Sequence, residues 1–301
     1  MGTTGKKLVV KRRSVDVKSI AVLTWLLCSA AAVQAADKQA VRVVRDIAYR
    51  ASAGAGDDKN KLDLYLPDGR TGVPVIVSLY GGALMQGDKS NQPFVGQRFA
   101  SAGIATAVVN YRLSPAVRHP VHVQDAAAAF AWVKRHIADY GGSPDQVFVI
   151  GHSAGAYLAA LLATDERYLA AHQLSLRDIR GVVPVSAFYW VERTGVAPDR
   201  DKSVWGTDQK VWVDASPAHH LRAGVPPILV LYADGDDQWR RDQNAEAATA
   251  LKAAGNPRVE IAQIVGRSHN TIWSRLNEEG DEVGDRIVRF VRKTIAAPST
   301  H

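Results

Sequence analysis

Gly151-His152-Ser153-Ala154-Gly155 sets a serine between two glycines, where the apolar run Val147 to Ile150 gives way to a helical run starting at Ala154. A serine in a sharp strand-to-helix turn is lifted clear of the backbone, and flanking glycines leave room for the strained turn. The helix that follows directs its positive end at the serine oxygen, where negative charge develops in acyl transfer. A serine hydroxyl is a weak nucleophile until a base removes its proton, and that base needs a carboxylate to hold it. The short pattern turns up by chance; its place between strand and helix is what gives it weight.

In this arrangement the partners come later in the chain, carboxylate first and histidine second. His269 has the right place: it lies in Gly266-Arg267-Ser268-His269-Asn270, just beyond the last strand-like run. His301 is terminal, His172, His219 and His220 precede the acidic loop, and His152 adjoins the serine but should point elsewhere from the turn. The acidic loop, Ala233-Asp234-Gly235-Asp236-Asp237, offers three carboxylates that chemistry alone does not separate. Tyr80-Gly81-Gly82-Ala83 follows another apolar run, and glycines there let the backbone approach a substrate oxygen closely. The expected oxyanion donors are the N–H groups of Gly82 and Ala83, joined by that of Ala154.

These loops need a frame to converge. Val41 to Tyr49 and Lys61 to Leu66 alternate apolar and polar residues, as half-exposed strands at a sheet edge do. Val73 to Leu79, Ile104 to Val109, Gln146 to Ile150, Gly181 to Val185 and Pro227 to Tyr232 are continuously apolar, which suits strands buried on both faces of a parallel sheet. Arg258 to Val265 reads as a last strand. Helical patterns run over Val123 to Ala138, Ala154 to Ala163, Gln243 to Ala254 and Asp285 to Ile295. Strand then helix, repeated, predicts a doubly wound α/β sheet with helices on both faces. Ala187 to Arg222 holds Trp190, Trp205 and Trp212 without clear periodicity and is expected to form a modest partial cap.

The chain has 301 residues, 47% hydrophobic and 22% charged, enough for one large globular domain. Its first 35 residues are of another kind: Lys6, Lys7, Lys11, Arg12, Arg13 and Lys18, then the uncharged run Ile20 to Val33, then Val33-Gln34-Ala35. Basic, apolar and small in that order is the pattern of a cleavable export signal, cut after Ala35, with residues 36–301 as a single exported domain, periplasmic or extracellular. The net charge of +7 belongs mostly to that leader. Residues 36–301 carry 31 basic against 29 acidic residues, which excludes a nucleic-acid footprint. The single cysteine, Cys28, lies in the leader, so the rest can form neither a disulfide nor a thiolate metal site.

With these pieces in order, the chain from about Lys61 onward resembles the α/β-hydrolase superfamily. It is most similar to the branch of hormone-sensitive-lipase-like, kynurenine-formamidase-like and feruloyl-esterase-like enzymes. The likeness is carried by Tyr80-Gly81-Gly82-Ala83 with Gly87-Asp88-Lys89, by Asn110-Tyr111-Arg112-Leu113-Ser114-Pro115 with Pro120 and Asp125, and by the two loops at Asp236 and His269. The resemblance selects Asp236 among the three acids and implies a triad of Ser153, Asp236 and His269. It implies a cofactor-free carboxylic-ester hydrolase that acts on small esters through an acyl-enzyme. The alternatives it leaves are hydrolysis of an N-formyl or other activated amide, and a catalytically inactive binding protein on the same fold. Tyr80 departs from the branch, which has histidine there to brace the loop; the departure bears on acyl-pocket shape and substrate preference.

Overall fold

The continuously apolar runs become the interior strands of an eight-stranded sheet, whose order is β1-β2-β4-β3-β5-β6-β7-β8. In the computed structural model, which describes residues 1–5, 40–51, 58–194 and 198–297, the strands are β1 (Val41–Ala48), β2 (Lys61–Pro67), β3 (Val73–Leu79), β4 (Ala105–Val109), β5 (Gly142–His152), β6 (Gly181–Val185), β7 (Ile228–Gly235) and β8 (Val259–Ser268). Strand β2 runs antiparallel to β1 and β4, and all pairings from β4 through β3 to β8 are parallel. Beyond its first five residues, the leader expected over 1–35 lies outside the described residues, as does His301.

The helices follow as α1 (Pro93–Ala100), α2 (Val121–His136), α3 (Ala154–Thr164), the turn α4 (Arg167–Ala170), α5 (Pro198–Trp205), α6 (Gln209–Asp214), α7 (Gln238–Ala253), the turn α8 (Thr271–Ser274) and α9 (Glu282–Ala296). Successive strand side chains point to opposite faces, so each interior strand feeds two cores. Val75, Val77, Val147, Val149, Val182, Ile228 and Val230 pack with Val123, Phe130 and Val133 of α2, Tyr157 and Leu161 of α3, and Leu251 of α7. Ile76, Phe148, Ile150, Val183, Val185, Leu229 and Leu231 pack on the other face with Val95 and Phe99 of α1 and Ile287 and Val291 of α9. Burying each such side chain stabilises the fold by about 1.5–3 kcal/mol. The parallel pairing brings the carboxyl ends of β3, β5, β7 and β8 to one edge, where open α/β sheets bind ligands.

Most expected elements agree within about three residues; two start well before their expected bounds and one is not expected at all. Strand β5 starts at Gly142, not Gln146, because its polar lead pairs with β3 at Val73. Helix α1 carries no strong pattern in the sequence, and α7 begins at Gln238, five residues early. The buried side of α7 includes Arg240, Gln243 and Asn244, so apolar periodicity under-reports it. The excursion at 187–222 contains α5 and α6 and is fastened to α3. Phe188 stacks on Tyr157 with centroids 4.6 Å apart, and the Tyr157 hydroxyl donates to the Ala215 carbonyl at 3.0 Å.

Candidate active site

Ser153 stands between β5 and α3 with φ 54° and ψ −115°, a left-handed conformation that costs energy in any residue but glycine. The turn is locked from both sides. A Cβ on Gly151 would meet the Gly155 carbonyl oxygen at 2.3 Å, and one on Gly155 would meet that of Leu79 at 2.1 Å. Only glycine fits either position, so both ends of the pentapeptide are dictated by backbone packing against α3 and β3.

The loops after β7 and β8 bring the other groups in. His269 Nε2 lies 2.9 Å from Ser153 Oγ, and His269 Nδ1 lies 2.6 Å from Asp236 Oδ1. A carboxylate only accepts, so Nδ1 carries the proton and Nε2 presents its lone pair to the serine hydroxyl. Asp236 is buried at 2% exposure, and its Oδ2 accepts from the Ser186 hydroxyl at 2.6 Å and the Ala233 N–H at 2.9 Å. Burial raises its pKa, but the hydrogen bonds from His269, Ser186 and Ala233 prevail and hold the carboxyl below its ordinary 3.8.

The other two acids of that loop do different work. Asp234 accepts from the N–H groups of Gly266 (2.9 Å) and Arg267 (3.1 Å), which ties the acidic loop to the histidine loop. Asp237 is the exposed residue that opens α7.

The Gly81-Gly82 loop flanks the serine: a Cβ on Gly81 would lie 3.1 Å from Ser153 Cβ. Gly82 (φ 125°), Ala83 (φ 58°) and Leu84 (φ 62°) turn in left-handed conformations, with the Gly82 carbonyl accepting from Met85 and Gln86. The N–H groups of Gly82, Ala83 and Ala154 donate to no protein acceptor among the described residues and are free to receive an oxyanion. Beneath the loop, Tyr80 is buried and stacked on Tyr111 at 4.4 Å. The two phenols cross over: Tyr111 donates to the Tyr80 carbonyl at 2.7 Å and Tyr80 to the Tyr111 carbonyl at 3.3 Å. Tyr80 is thus a brace that spends its hydroxyl on the backbone, and burial pushes its pKa up.

A sequence model of one family, described as BD-FAE, matches residues 62–251, which include this loop, the serine and the acid. The chain belongs to the BD-FAE family. This is a family of α/β-hydrolase-type esterases. The chain is 32% identical over 253 residues to a probable carboxylic ester hydrolase, LipM, of Mycobacterium tuberculosis, which covers 76% of this chain and 58% of that protein. It is 39% identical over 265 residues to a probable isoprenylcysteine alpha-carbonyl methylesterase, ICMEL1, of Arabidopsis thaliana, covering 80% and 56% respectively. The chain therefore spans under three fifths of the length of these relatives. Among solved structures, a truncated carbohydrate esterase from gut microbiota has the same fold at TM-score 0.73 and 18% identity, covering 87% of this chain and 99% of that one. Esterase B of Lactobacillus rhamnosis, with an inhibitor bound, also superposes at TM-score 0.73, with 19% identity and coverage of 93% and 96%.

In this BD-FAE chain two side chains at the site escape a reading from sequence. Ser186 follows β6 with φ 54° and aims its hydroxyl at Asp236, and nothing in Val185-Ser186-Ala187 signals it. His152 does turn away from the serine hydroxyl, as expected, but it is not idle. Its Nε2 lies 2.7 Å from the His269 carbonyl oxygen, so Nε2 carries a proton and donates it. Its ring stacks on Trp273 at 5.5 Å, and its Nδ1 side abuts Gly81. One residue thereby joins the nucleophile turn, the oxyanion loop and the histidine loop. Burial, and then the neighbouring His269, push its pKa down to about 3, so it stays neutral beside the base.

Proposed function

We propose that this protein is a serine carboxylic-ester hydrolase acting on small esters through an acyl-enzyme. The observation that carries the reading is the unbroken chain from Ser153 Oγ through His269 to Asp236, at 2.9 and 2.6 Å, beside unused N–H groups. In this mechanism Ser153 attacks the ester carbonyl as His269 Nε2 takes its proton. Asp236 keeps the imidazole in the useful tautomer and stabilises it once charged. The oxyanion is received by the N–H groups of Gly82, Ala83 and Ala154. His269 then protonates the departing alcohol, and water repeats the sequence on the acyl group. Relatives named as a carboxylic ester hydrolase and a methylesterase support ester over amide substrates. The leader supports a site of action outside the cytoplasm.

Hydrolysis of p-nitrophenyl acetate, butyrate and octanoate tests this, with the Ser153→Ala variant alongside. Turnover that disappears in the variant is the expected result, and the chain-length profile sizes the acyl pocket. Absence of turnover of all three by the intact protein would sink the reading. N-formylkynurenine, assayed in parallel, decides whether a formamide is preferred.

A further inference from the structure

Arg240 is a buried cation that the mechanism above does not use. It lies in the first turn of α7, four residues beyond Asp236, and is 9% exposed. Its Nη1 donates to the Ser186 carbonyl at 2.9 Å. Its Nε stands 3.9 Å from Asp236 Oδ1, outside hydrogen-bond reach. Asp236 therefore offsets the charge at a distance without accepting a hydrogen bond from it, its donors being His269, Ser186 and Ala233. Among the described residues no other acceptor meets the remaining N–H groups of Arg240, and none of its nitrogens is sealed from solvent without a partner. They therefore keep some contact with solvent.

The surroundings sharpen the point. The guanidinium sits 4.5 Å from the Trp239 ring centroid and 6.0 Å from that of Phe188. Both contacts are within cation–π range and hold the guanidinium against an apolar wall. Arg200 adds a second positive charge to the surroundings but is itself hydrogen-bonded to Asp201 at 2.7 Å. Burial pushes the Arg240 pKa down to about 10, against the pull of Asp236 and Asp237, so the two acids offset only part of the cost of burying the charge. A buried charge is costly unless paired, and an arginine edge matches the two oxygens of a carboxylate.

We propose that Arg240, walled by Trp239 and Phe188, is an anion subsite of the ester-cleaving centre, and that the preferred esters carry a carboxylate on the part that reaches it. This rests on the esterase reading above.

The test is a ratio. Mono-p-nitrophenyl glutarate is compared with p-nitrophenyl valerate for an acyl-side anion, and 4-acetoxybenzoate with phenyl acetate for one on the leaving group. Each pair is run with wild type, Arg240→Met and Arg240→Lys. The anionic-to-neutral ratio of kcat/KM in one pair should fall about tenfold or more in Arg240→Met, the worth of one charge-assisted hydrogen bond, and Lys should restore part of it. The pair that responds identifies the side. A ratio unchanged in both pairs, with both esters slowed together, would make Arg240 a brace for Ser186 and overturn the proposal. Should Arg240→Met fail to fold, Arg240→Gln is read in the same way. Should wild type hydrolyse none of the four esters, the esterase reading fails separately. Calorimetric titration with glutarate then reads the subsite: binding weakened about tenfold or more in the variant upholds it, and equal binding overturns it.

Discussion

Two serine–histidine pairs lie in this chain at almost the same distance. Ser153 Oγ is 2.9 Å from His269 Nε2, and Ser114 Oγ is 3.1 Å from His122 Nε2. Their surroundings make them opposites. Ser114 donates its proton to the Val117 carbonyl at 2.7 Å, so His122 must donate from Nε2. The lone pair is then on Nδ1, which is buried without a partner. Among the described residues no carboxylate is hydrogen-bonded to that ring, and burial lowers its pKa to about 4. His269 has the reverse arrangement: its Nδ1 proton goes to Asp236, its lone pair faces the serine, and it is partly open to solvent. Contact between serine and histidine is thus cheap; what makes a nucleophile is the carboxylate on the far nitrogen and a turn that exposes the hydroxyl.

The largest expected effects break the proposed Ser153–His269–Asp236 relay. Ser153→Ala or Asp236→Asn should each lower kcat by roughly 10⁴-fold or more, Asn because it favours the wrong tautomer of His269. Steady-state kinetics checks this, and turnover of Asp236→Asn near the wild-type rate would remove Asp236 from its role.

The clamp on His269 comes next. His152→Leu removes the donor to the His269 carbonyl and should cost on the order of 10–100-fold in kcat, while His152→Gln, which keeps an N–H, should recover much of it. Equal losses in the two variants would mean that His152 merely fills space. Ser186→Ala deletes one hydrogen bond that holds Asp236 ionised. It should cost about 3–10-fold in kcat/KM by steady-state kinetics, because the carboxylate that orients His269 loses one of its donors.

The smallest catalytic effect belongs to the buried pair. Ser114→Ala should leave kcat within about threefold yet lower stability by about 1–3 kcal/mol, read from denaturant unfolding, because it strands a buried donor. The pair should instead show itself in the acid. His119 and His122 have folded pKa values pushed down by burial from 6.5 to about 4, and His152 to about 3. A depressed histidine contributes its full stability above 6.5, where both folded and unfolded states are neutral. That stability is lost as pH falls towards 4, because the unfolded chain takes up protons first. Thermal unfolding between pH 7 and 4.5 should therefore show a falling Tm, and His122→Leu should flatten the slope.

Much of this was legible from local pattern. The interior strands declare themselves as continuous apolar runs because both faces of a parallel sheet are covered. Gly151, Ser153 and Gly155 are legible because a strained turn packed against backbone admits so few residue types. Other parts were not. Helix α1 is only eight residues long, α5 and the start of α7 bury the charged Asp201 and Arg240, and α6 buries no residue, so periodicity says little about them. Asp236 could be told from Asp234 and Asp237 only by likeness to other proteins, since three aspartates in one loop are chemically alike.

The sequence by itself determined the order of strands and helices, the serine in its turn and the histidine that follows the last strand, because each depends on neighbours a few residues away. Tertiary structure alone decided that Ser186 and His152 hold the Asp236–His269 pair in place, and that His122 turns its N–H rather than its lone pair to Ser114. Those outcomes depend on which lone pair faces which proton across separations of 33, 50 and 117 residues, and burial sets the charge of each group only once the chain has closed around it.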